Sequence, residues 1–389
     1  MKRKICIATG TRADWGLLTP IAKGLAERDD IELQIIATNM HLMAEYGNTY
    51  REIERAGFAI DYKVPTKYTA NDSAADTVAA MSEVMSGFAT AFASLKPDQL
   101  IILGDRYEML AVASAALIFQ IPVVHIAGGA ISEGAYDDSI RNAITKMSHI
   151  HLTETDEYRN RVIQMGEAPN RVFNTGAIGV DNILNIPVLP CDELEQFLGM
   201  SLDSDNTILV TFHPATLEKL TPSEQCGALL KVLDAHPELK IIFTYPNNDT
   251  NGRIIIDMLN EFVCRNADRA VIFPSLGVQR YLSTLHYIAA VVGNSSSGIV
   301  EVPSIGIPSL DIGIRQRGRM AADSVVHCAA TVEGIEYGLR QVLSEQLHEI
   351  ATRKDNPYQQ SDTLAKMISA ICDTPLDNIT QKRFYDLPE

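Results

Sequence analysis

Short apolar, β-branched runs alternate along the chain with longer stretches of helical periodicity. Residues 4–9 (KICIAT) predict a first strand and 17–28 a helix. Strands follow at 32–37, 99–103, 122–126 and 149–153, with helices at 109–118 and 140–147. Runs that are apolar throughout, with helices between them, belong to parallel βαβ units covered on both faces. The rhythm restarts at 207–211 and continues through 240–244, 270–273, 289–292 and 309–312. Between the two series, 186–192 (IPVLPCD) carries the prolines and the shift in polarity expected of a linker. The pattern predicts an α/β protein of two Rossmann-like domains facing across a cleft. The N-terminal domain is expected at 1–180 and the C-terminal domain at 181–370, with a tail at 371–389 after a last helix at 363–372.

Composition narrows the class. A chain of 389 residues buries large cores without disulfides. With 46% hydrophobic and 21% charged residues it is neither disordered, collagenous nor coiled-coil. The 49 acidic and 33 basic residues give a formal charge of −16, the opposite of a nucleic-acid binder. Lys2-Arg3-Lys4 looks like the start of an export signal, but the apolar run ends at Thr9, short of the about 7–15 residues required. The run 111–119 is broken by Ser114 and falls short of the roughly 20 residues of a membrane span. Six scattered cysteines without a C-x-x-C fit buried free thiols in a reducing cytoplasm and no zinc site.

In parallel α/β sheets ligands bind beyond the carboxyl ends of the strands, so the residues there carry the candidate chemistry. Arg12, in Gly10-Thr11-Arg12-Ala13-Asp14, serves an anion at a helix start or pairs with Asp14. No dinucleotide fingerprint or P-loop occurs. Asp105, in Gly104-Asp105-Arg106, is a cleft-wall base, a sugar ligand or a helix cap, with Arg106 beside it. Asp137 and Asp138 cap the next helix or add a carboxylate opposite Asp105, and two carboxylates in different environments make an acid and a base. In the second series His213 directly follows a strand, and Asn247 lies in an amide-rich strand end. Gly293-Asn294-Ser295-Ser296-Ser297-Gly298, between a strand and a helix over 299–303, forms a phosphate cradle, with Glu301 placed for ribose hydroxyls. Arg315, Arg317 and Arg319 form a basic cluster.

Taken in order, GTRADWG, TNMH at 38–41, GDRYE, HIAGG…YDDSIRNAITKMSHIHL, FHP, YPNND, GNSSSG…E, RQ-x-GR and the closing QKRFYDLP resemble the hydrolysing UDP-N-acetylglucosamine 2-epimerases of bacterial sialic-acid and legionaminic-acid pathways. The resemblance covers about residues 3–386. It implies a GT-B-like pair of domains with a final helix crossing back to the first. It implies hydrolysis of UDP-GlcNAc to N-acetylmannosamine and UDP, through elimination to a 2-acetamidoglucal and rehydration with inversion at C-2. No nicotinamide and no catalytic metal are implied, and the expected assembly is a homodimer or homotetramer. Asp105 and Asp137 match proton-transfer positions. Ser295, Ser296, Gly298, Arg12 and His213 match the diphosphate site with Arg315 in support, Glu301 matches the ribose site, and Asn247 helps place the nucleotide. The same chemistry on UDP-2,4-diacetamido-2,4,6-trideoxyglucose, a glycosyltransferase and a non-catalytic UDP-sugar binder are the alternatives. The chain departs from the family pattern at Leu17, Ala127, Ala130 and Asn142, where relatives carry Lys, Glu or His, Glu, and His.

Overall fold

The computed structural model describes residues 2–67, 73–215, 217–247 and 250–388. They fold as two compact units. Unit 1 is Met1–Ala130, Asp137–Asn182 and Gln360–Glu389, and unit 2 is Ile131–Tyr136 and Ile183–Gln359. Both are parallel α/β sheets with helices between the strands.

Unit 1 contains β1 (Arg3–Thr9), β2 (Ile31–Thr38), β3 (Tyr62–Val64), β4 (Gln99–Leu103), β5 (Val123–Ile126), β6 (Ile150–Thr153) and β7 (Val172–Asn174), in the order β3-β2-β1-β4-β5-β6-β7. The central β1 is apolar throughout because both faces are covered: Ile5, Cys6 and Ile7 are fully buried. The helix Arg12–Ala26 starts ahead of its apolar period because Thr11 and Asp14 form a capping box. Pro20 inside that helix cannot donate to the Gly16 carbonyl. The buried Asn182 amide donates there instead, at 3.1 Å. The helices Tyr107–Ile118 and Asp137–Met147 also begin before their periodicity, the first at Tyr107-Glu108 and the second at the polar Asp137-Asp138-Ser139.

Several elements escape the hydrophobic pattern. β3 and β7 are three-residue edge strands that are only partly buried. The helix Ala74–Leu95 is by length and composition apolar enough to cross a membrane. It packs Ala80, Val84, Phe88 and Phe92 inward and leaves Ala75, Ala79, Ser82, Ser86 and Ala93 exposed. Its exposed positions are uncharged and include Val78 and Met85 among the small residues, so it lacks amphipathic contrast.

Unit 2 contains β8 (Thr207–Thr211), β9 (Lys240–Thr244), β10 (Ala270–Phe273), β11 (Ala290–Gly293), β12 (Ser309–Ile312) and β13 (Val325–Cys328), in the order β10-β9-β8-β11-β12-β13. β13 is another short edge strand that the pattern misses. The segment Ile131–Tyr136 is part of this unit: the Leu217 N–H donates to the Gly134 carbonyl at 3.0 Å and the Glu133 N–H to the Arg317 carbonyl at 3.1 Å. A Cβ on Gly134 would strike the Ile314 carbonyl, so only glycine fits.

The boundaries differ from those expected. The division expected after residue 180 falls between Asn182 and Ile183, inside the helix Ile178–Asn185. The expected linker is packed on unit 2, with Leu189 accepting from Tyr287 Oη at 3.0 Å and donating to Ser283 Oγ at 2.9 Å. The chain re-enters unit 1 at Gln360 rather than at 371, because the helix Thr363–Asp373 buries Met367, Ala370 and Ile371 in the unit 1 core. The cysteines also differ: Cys6, Cys226 and Cys372 are buried, Cys191 and Cys328 are half-buried, and Cys264 is exposed.

The C-terminal tail is tied to unit 1 by a buried ion cluster. Glu167 accepts from Lys146 Nζ at 2.6 Å, Lys382 Nζ at 2.7 Å and His151 Nε2 at 3.1 Å. Burial opposes ionisation of Glu167, but His151, Lys146 and Lys382 outweigh it and hold the carboxyl at about 2. With a folded value below the unfolded one, this stabilisation is complete above the ordinary carboxylate range and disappears as pH falls toward 2. Glu167→Gln is expected to cost about 3 kcal/mol at pH 7 in urea unfolding, with the difference from wild type shrinking below about pH 4.

Candidate functional site

In both sheets the strand order reverses beside the first strand, between β1 and β4 and between β8 and β11. At such a point the loops leave toward opposite faces and open a crevice at the carboxyl ends. The sequence-predicted residues fall at or near these two places, one in each unit.

In unit 1, Asp105 follows β4 after Gly104. It is not a helix cap, because Arg106 holds that position for Tyr107–Ile118. The Arg141 guanidinium, 1% exposed, donates through Nη2 to Asp105 Oδ2. Its Nη1 donates to the Ala130 carbonyl at 2.9 Å and to Asp138 Oδ1 at 3.2 Å. Asn142 Nδ2 donates to Asp138 Oδ2 at 3.2 Å. Asp137 opens the helix that carries all three of Asp138, Arg141 and Asn142. His125 donates from Nε2 to the Gly104 carbonyl at 2.8 Å, and its Nδ1 accepts from Thr145 Oγ1 at 3.1 Å. Burial pushes its pKa down to about 4, so the ring is neutral at pH 7.

Arg106 is ion-paired: its Nε donates to the fully buried Glu108 at 2.6 Å. Arg12 is the first residue of its helix and is partly buried. His41 is pushed down to about 3 by burial, with the Arg12 charge adding to the effect. Thr9 Oγ1 and Thr49 Oγ1 hold the two nitrogens of this ring, each at 2.9 Å. Asp14 spends its carboxylate on the backbone, accepting from the Gly10 and Thr11 N–H groups at 3.2 and 3.0 Å. Burial raises it to about 6, against the pull of Arg106.

In unit 2 the centre of the crevice is Asn294, which directly follows β11. Its Oδ1 accepts from the His213 N–H at 2.6 Å and its Nδ2 donates to the His213 carbonyl at 2.8 Å. Its own carbonyl accepts from Arg315 Nη1 at 3.1 Å and Gln316 Nε2 at 2.9 Å. His213 Nδ1 accepts from the Asn247 N–H at 3.1 Å, so a neutral ring carries its proton on Nε2. One buried amide thus gathers His213 and Arg315, and through His213 also Asn247. Gly293, at φ +139°, lies so close to Thr211 that a Cβ would collide with the Thr211 carbonyl.

The serine loop differs from expectation in one respect. The helix over 299–303 is two four-residue turns, Ser297–Val300 and Val302–Ile305, which meet at Glu301. Pro303 supplies no N–H to carry a continuous helix through. Ser295 and Ser296 precede the first turn and are half-buried, and Gly298 is buried inside it. Tyr281 Oη donates to Ser297 Oγ at 2.7 Å, and Ser309 Oγ donates to the Gly298 carbonyl at 2.5 Å. The basic cluster divides: Arg315 is buried in this network, whereas Arg317 is exposed and pairs with Glu133.

Arg141 and Asn294 are the two residues that sequence reasoning passed over. Both lie inside motifs already singled out. An arginine one turn after a pair of aspartates, and an asparagine directly after a strand-ending glycine, were the available signals.

The family described as UDP-N-acetylglucosamine 2-epimerase matches residues 23–372. The GDP/UDP-N,N'-diacetylbacillosamine 2-epimerase (hydrolyzing) of Campylobacter jejuni is 40% identical over 387 residues, covering 99% of this chain and 100% of the relative. The UDP-N-acetylglucosamine 2-epimerase of Neisseria meningitidis serogroup B is 33% identical, covering 100% of both chains. A crystal structure of UDP-GlcNAc 2-epimerase from Neisseria meningitidis bound to UDP-GlcNAc superimposes with a TM-score of 0.76 at 16% identity, covering 95% of this chain and 100% of that one. At that identity the likeness shows the shared fold of two Rossmann-like α/β domains.

Removing the Asn294 side chain orphans a buried N–H and a buried carbonyl of His213. Each such group costs about 1–3 kcal/mol. Asn294→Ala is therefore expected to lower stability by about 3 kcal/mol in chemical denaturation.

Proposed function

Because the chain belongs to the UDP-N-acetylglucosamine 2-epimerase family, we propose that it is a hydrolysing UDP-sugar 2-epimerase acting on UDP-2,4-diacetamido-2,4,6-trideoxyglucose. The geometry that carries the reading is the donor set around Asn294, where the His213 imidazole, the Arg315 guanidinium and the nearby serine hydroxyls suit a diphosphate leaving group. The 40% identity to a diacetylbacillosamine enzyme favours the 2,4-diacetamido sugar. The 33% relative that acts on UDP-GlcNAc supports that sugar as the second reading.

The hydrogen on C-2 of such a sugar is weakly acidic. Its removal must coincide with charge neutralisation on the departing oxygen. A unit 1 carboxylate, Asp105 or Asp137, takes the C-2 proton while the bond from C-1 to the UDP oxygen breaks. The products are a 2-acetamidoglycal and UDP. Water then adds its oxygen to C-1, and a proton reaches C-2 on the opposite face, giving the free 2-epimer. His213, Arg12 and Arg315, with Ser295, Ser296 and the Gly298 turn, bear the diphosphate. Glu301 takes ribose hydroxyls, and Asn247 both positions His213 and lies beside the nucleotide.

The exposed face of Ala74–Leu95, with the exposed Leu117, Ile118 and Phe119, supports a homo-oligomer. In a chain of net charge −16 an uncharged face is where a second copy meets least repulsion.

Turnover in D2O is expected to release UDP and a 2-epimer carrying deuterium at C-2, and product without that label overturns the elimination. kcat/KM is expected to be higher for the 2,4-diacetamido sugar than for UDP-GlcNAc, and the reverse order favours the second reading. Asp105→Asn is expected to lower kcat at least about a hundredfold while UDP binding by calorimetry persists. Sedimentation is expected to show a dimer or tetramer that Ala79→Arg dissociates, and a monomeric wild type removes the oligomer.

A further inference from the structure

We propose that Arg141 is a positioning residue, which holds Asp105 as an ionised and correctly aimed proton acceptor and shares its charge with Asp138. The inference rests on the epimerase reading and adds to it an assignment of roles, with Asp105 as the group that takes the C-2 proton.

A guanidinium is always charged, and one that is 1% exposed must be neutralised locally. Arg141 meets that need with Asp105 on one nitrogen and Asp138 on the other. Its Nη1 also binds the Ala130 carbonyl, so the fork is fixed at three points drawn from three segments: the end of β4, the end of the β5 loop and the first turn of Asp137–Met147. In the resting site the Asp105 carboxylate is one of two that compensate this buried cation, so Asp105 waits ionised, and Asp138 remains as the partner of Arg141 when Asp105 takes a proton. During elimination Asp105 accepts the C-2 proton while the electrons of the C-1–oxygen bond leave with UDP, and Arg141 remains protonated throughout.

Other charged and titratable groups lie on every neighbouring element. β5 contributes His125, neutral and anchored to Gly104. β6 contributes His151, which is bonded to Glu167. The helix Tyr107–Ile118 contributes Glu108, already paired with Arg106. The loop and helix after β1 contribute Arg12 and Asp14, the latter bound to backbone. Asp137 and Asp138 come from the helix that also carries Arg141. Among these, Arg141 binds Asp105 directly and Asp138 competes for the same guanidinium.

The two partners therefore act on Asp105 in opposite senses. Removing the positive partner raises its affinity for a proton, and removing the competing carboxylate lowers it. The acid limb of kcat/KM against pH is expected to move up by about one unit or more in Arg141→Gln and down in Asp138→Asn. In Arg141→Gln the loss should fall on kcat rather than KM. Arg141→Lys should restore the limb while leaving kcat low, because it keeps the charge and loses the fork. A 13C titration of labelled aspartate carboxyls, with Asp105 assigned by its absence in Asp105→Asn, should move in the same two directions without reference to turnover. An unmoved limb and titration in both variants, or a shift in the same direction in both, overturns the inference. If Arg141→Gln does not fold, Asp138→Asn decides alone, and an unmoved or raised value overturns it. A wild type with no turnover of either UDP-sugar removes the epimerase reading, and the carboxyl titration still decides whether Arg141 holds Asp105 ionised.

Discussion

Where the strand order reverses beside β1 and beside β8, successive loops leave toward opposite faces of the sheet, and backbone alone cannot fill the gap between them. Buried polar groups must fill it, and each must be satisfied. In unit 2 a single amide satisfies both backbone groups of His213, and its carbonyl receives Arg315 and Gln316. In unit 1 one guanidinium satisfies two carboxylates and a carbonyl. The candidate functional residues are therefore held by the same bonds that make the strand ends foldable. The bonds of Asn294 and Arg141 therefore join the strand ends and place the candidate site residues at once.

Charge is distributed by the same logic. A net charge of −16 repels a dianionic diphosphate at long range, so positive groups have to be local and fixed. The candidate arginines are not equivalent in this respect. Arg106 is committed to Glu108, and Arg317 lies on the exterior against Glu133. Arg315 is buried against the Asn294 carbonyl. Counting arginines near strand ends therefore overstates the positive potential, because each guanidinium's own partners decide how much of its charge an anion meets.

The strands and the strand-end motifs were legible in the chain because parallel strands buried on both faces read as unbroken apolar runs. Five of them, at 99–103, 207–211, 240–244, 270–273 and 309–312, begin and end where the pattern puts them. What was hidden shares one property, the absence of contrast. β3, β7 and β13 are short, partly buried edges, and the exposed face of Ala74–Leu95 is uncharged, with Val78 and Met85 among alanines and serines. Helix starts were read late because their first turns are polar: Arg12 and Asp137 look like loop residues and are the first residues of helices. Arg141 and Asn294 were hidden for a different reason. Each acts by joining segments far apart in sequence, Arg141 to Asp105 and Asn294 to His213, and spacing along one motif carries no trace of such a partner.

The buried histidines of unit 1 bear on how such a site responds to pH. A chain with His41 and His125 close to its strand ends invites the expectation of a histidine switch near neutrality. Burial removes it: both rings are held neutral well below pH 6, and threonine hydroxyls and a backbone carbonyl use their nitrogens as fixed dipoles. Around neutral pH these two rings do not change the field at Asp105. The charge in direct contact with Asp105 is the Arg141 guanidinium, which Asp138 shares, and Asp14 after β1, raised to about 6 by burial, is the neighbouring carboxyl whose charge changes toward neutrality. The guanidinium charge held at the strand ends of unit 1 is therefore constant across this range, and His41 and His125 add no titration of their own to it.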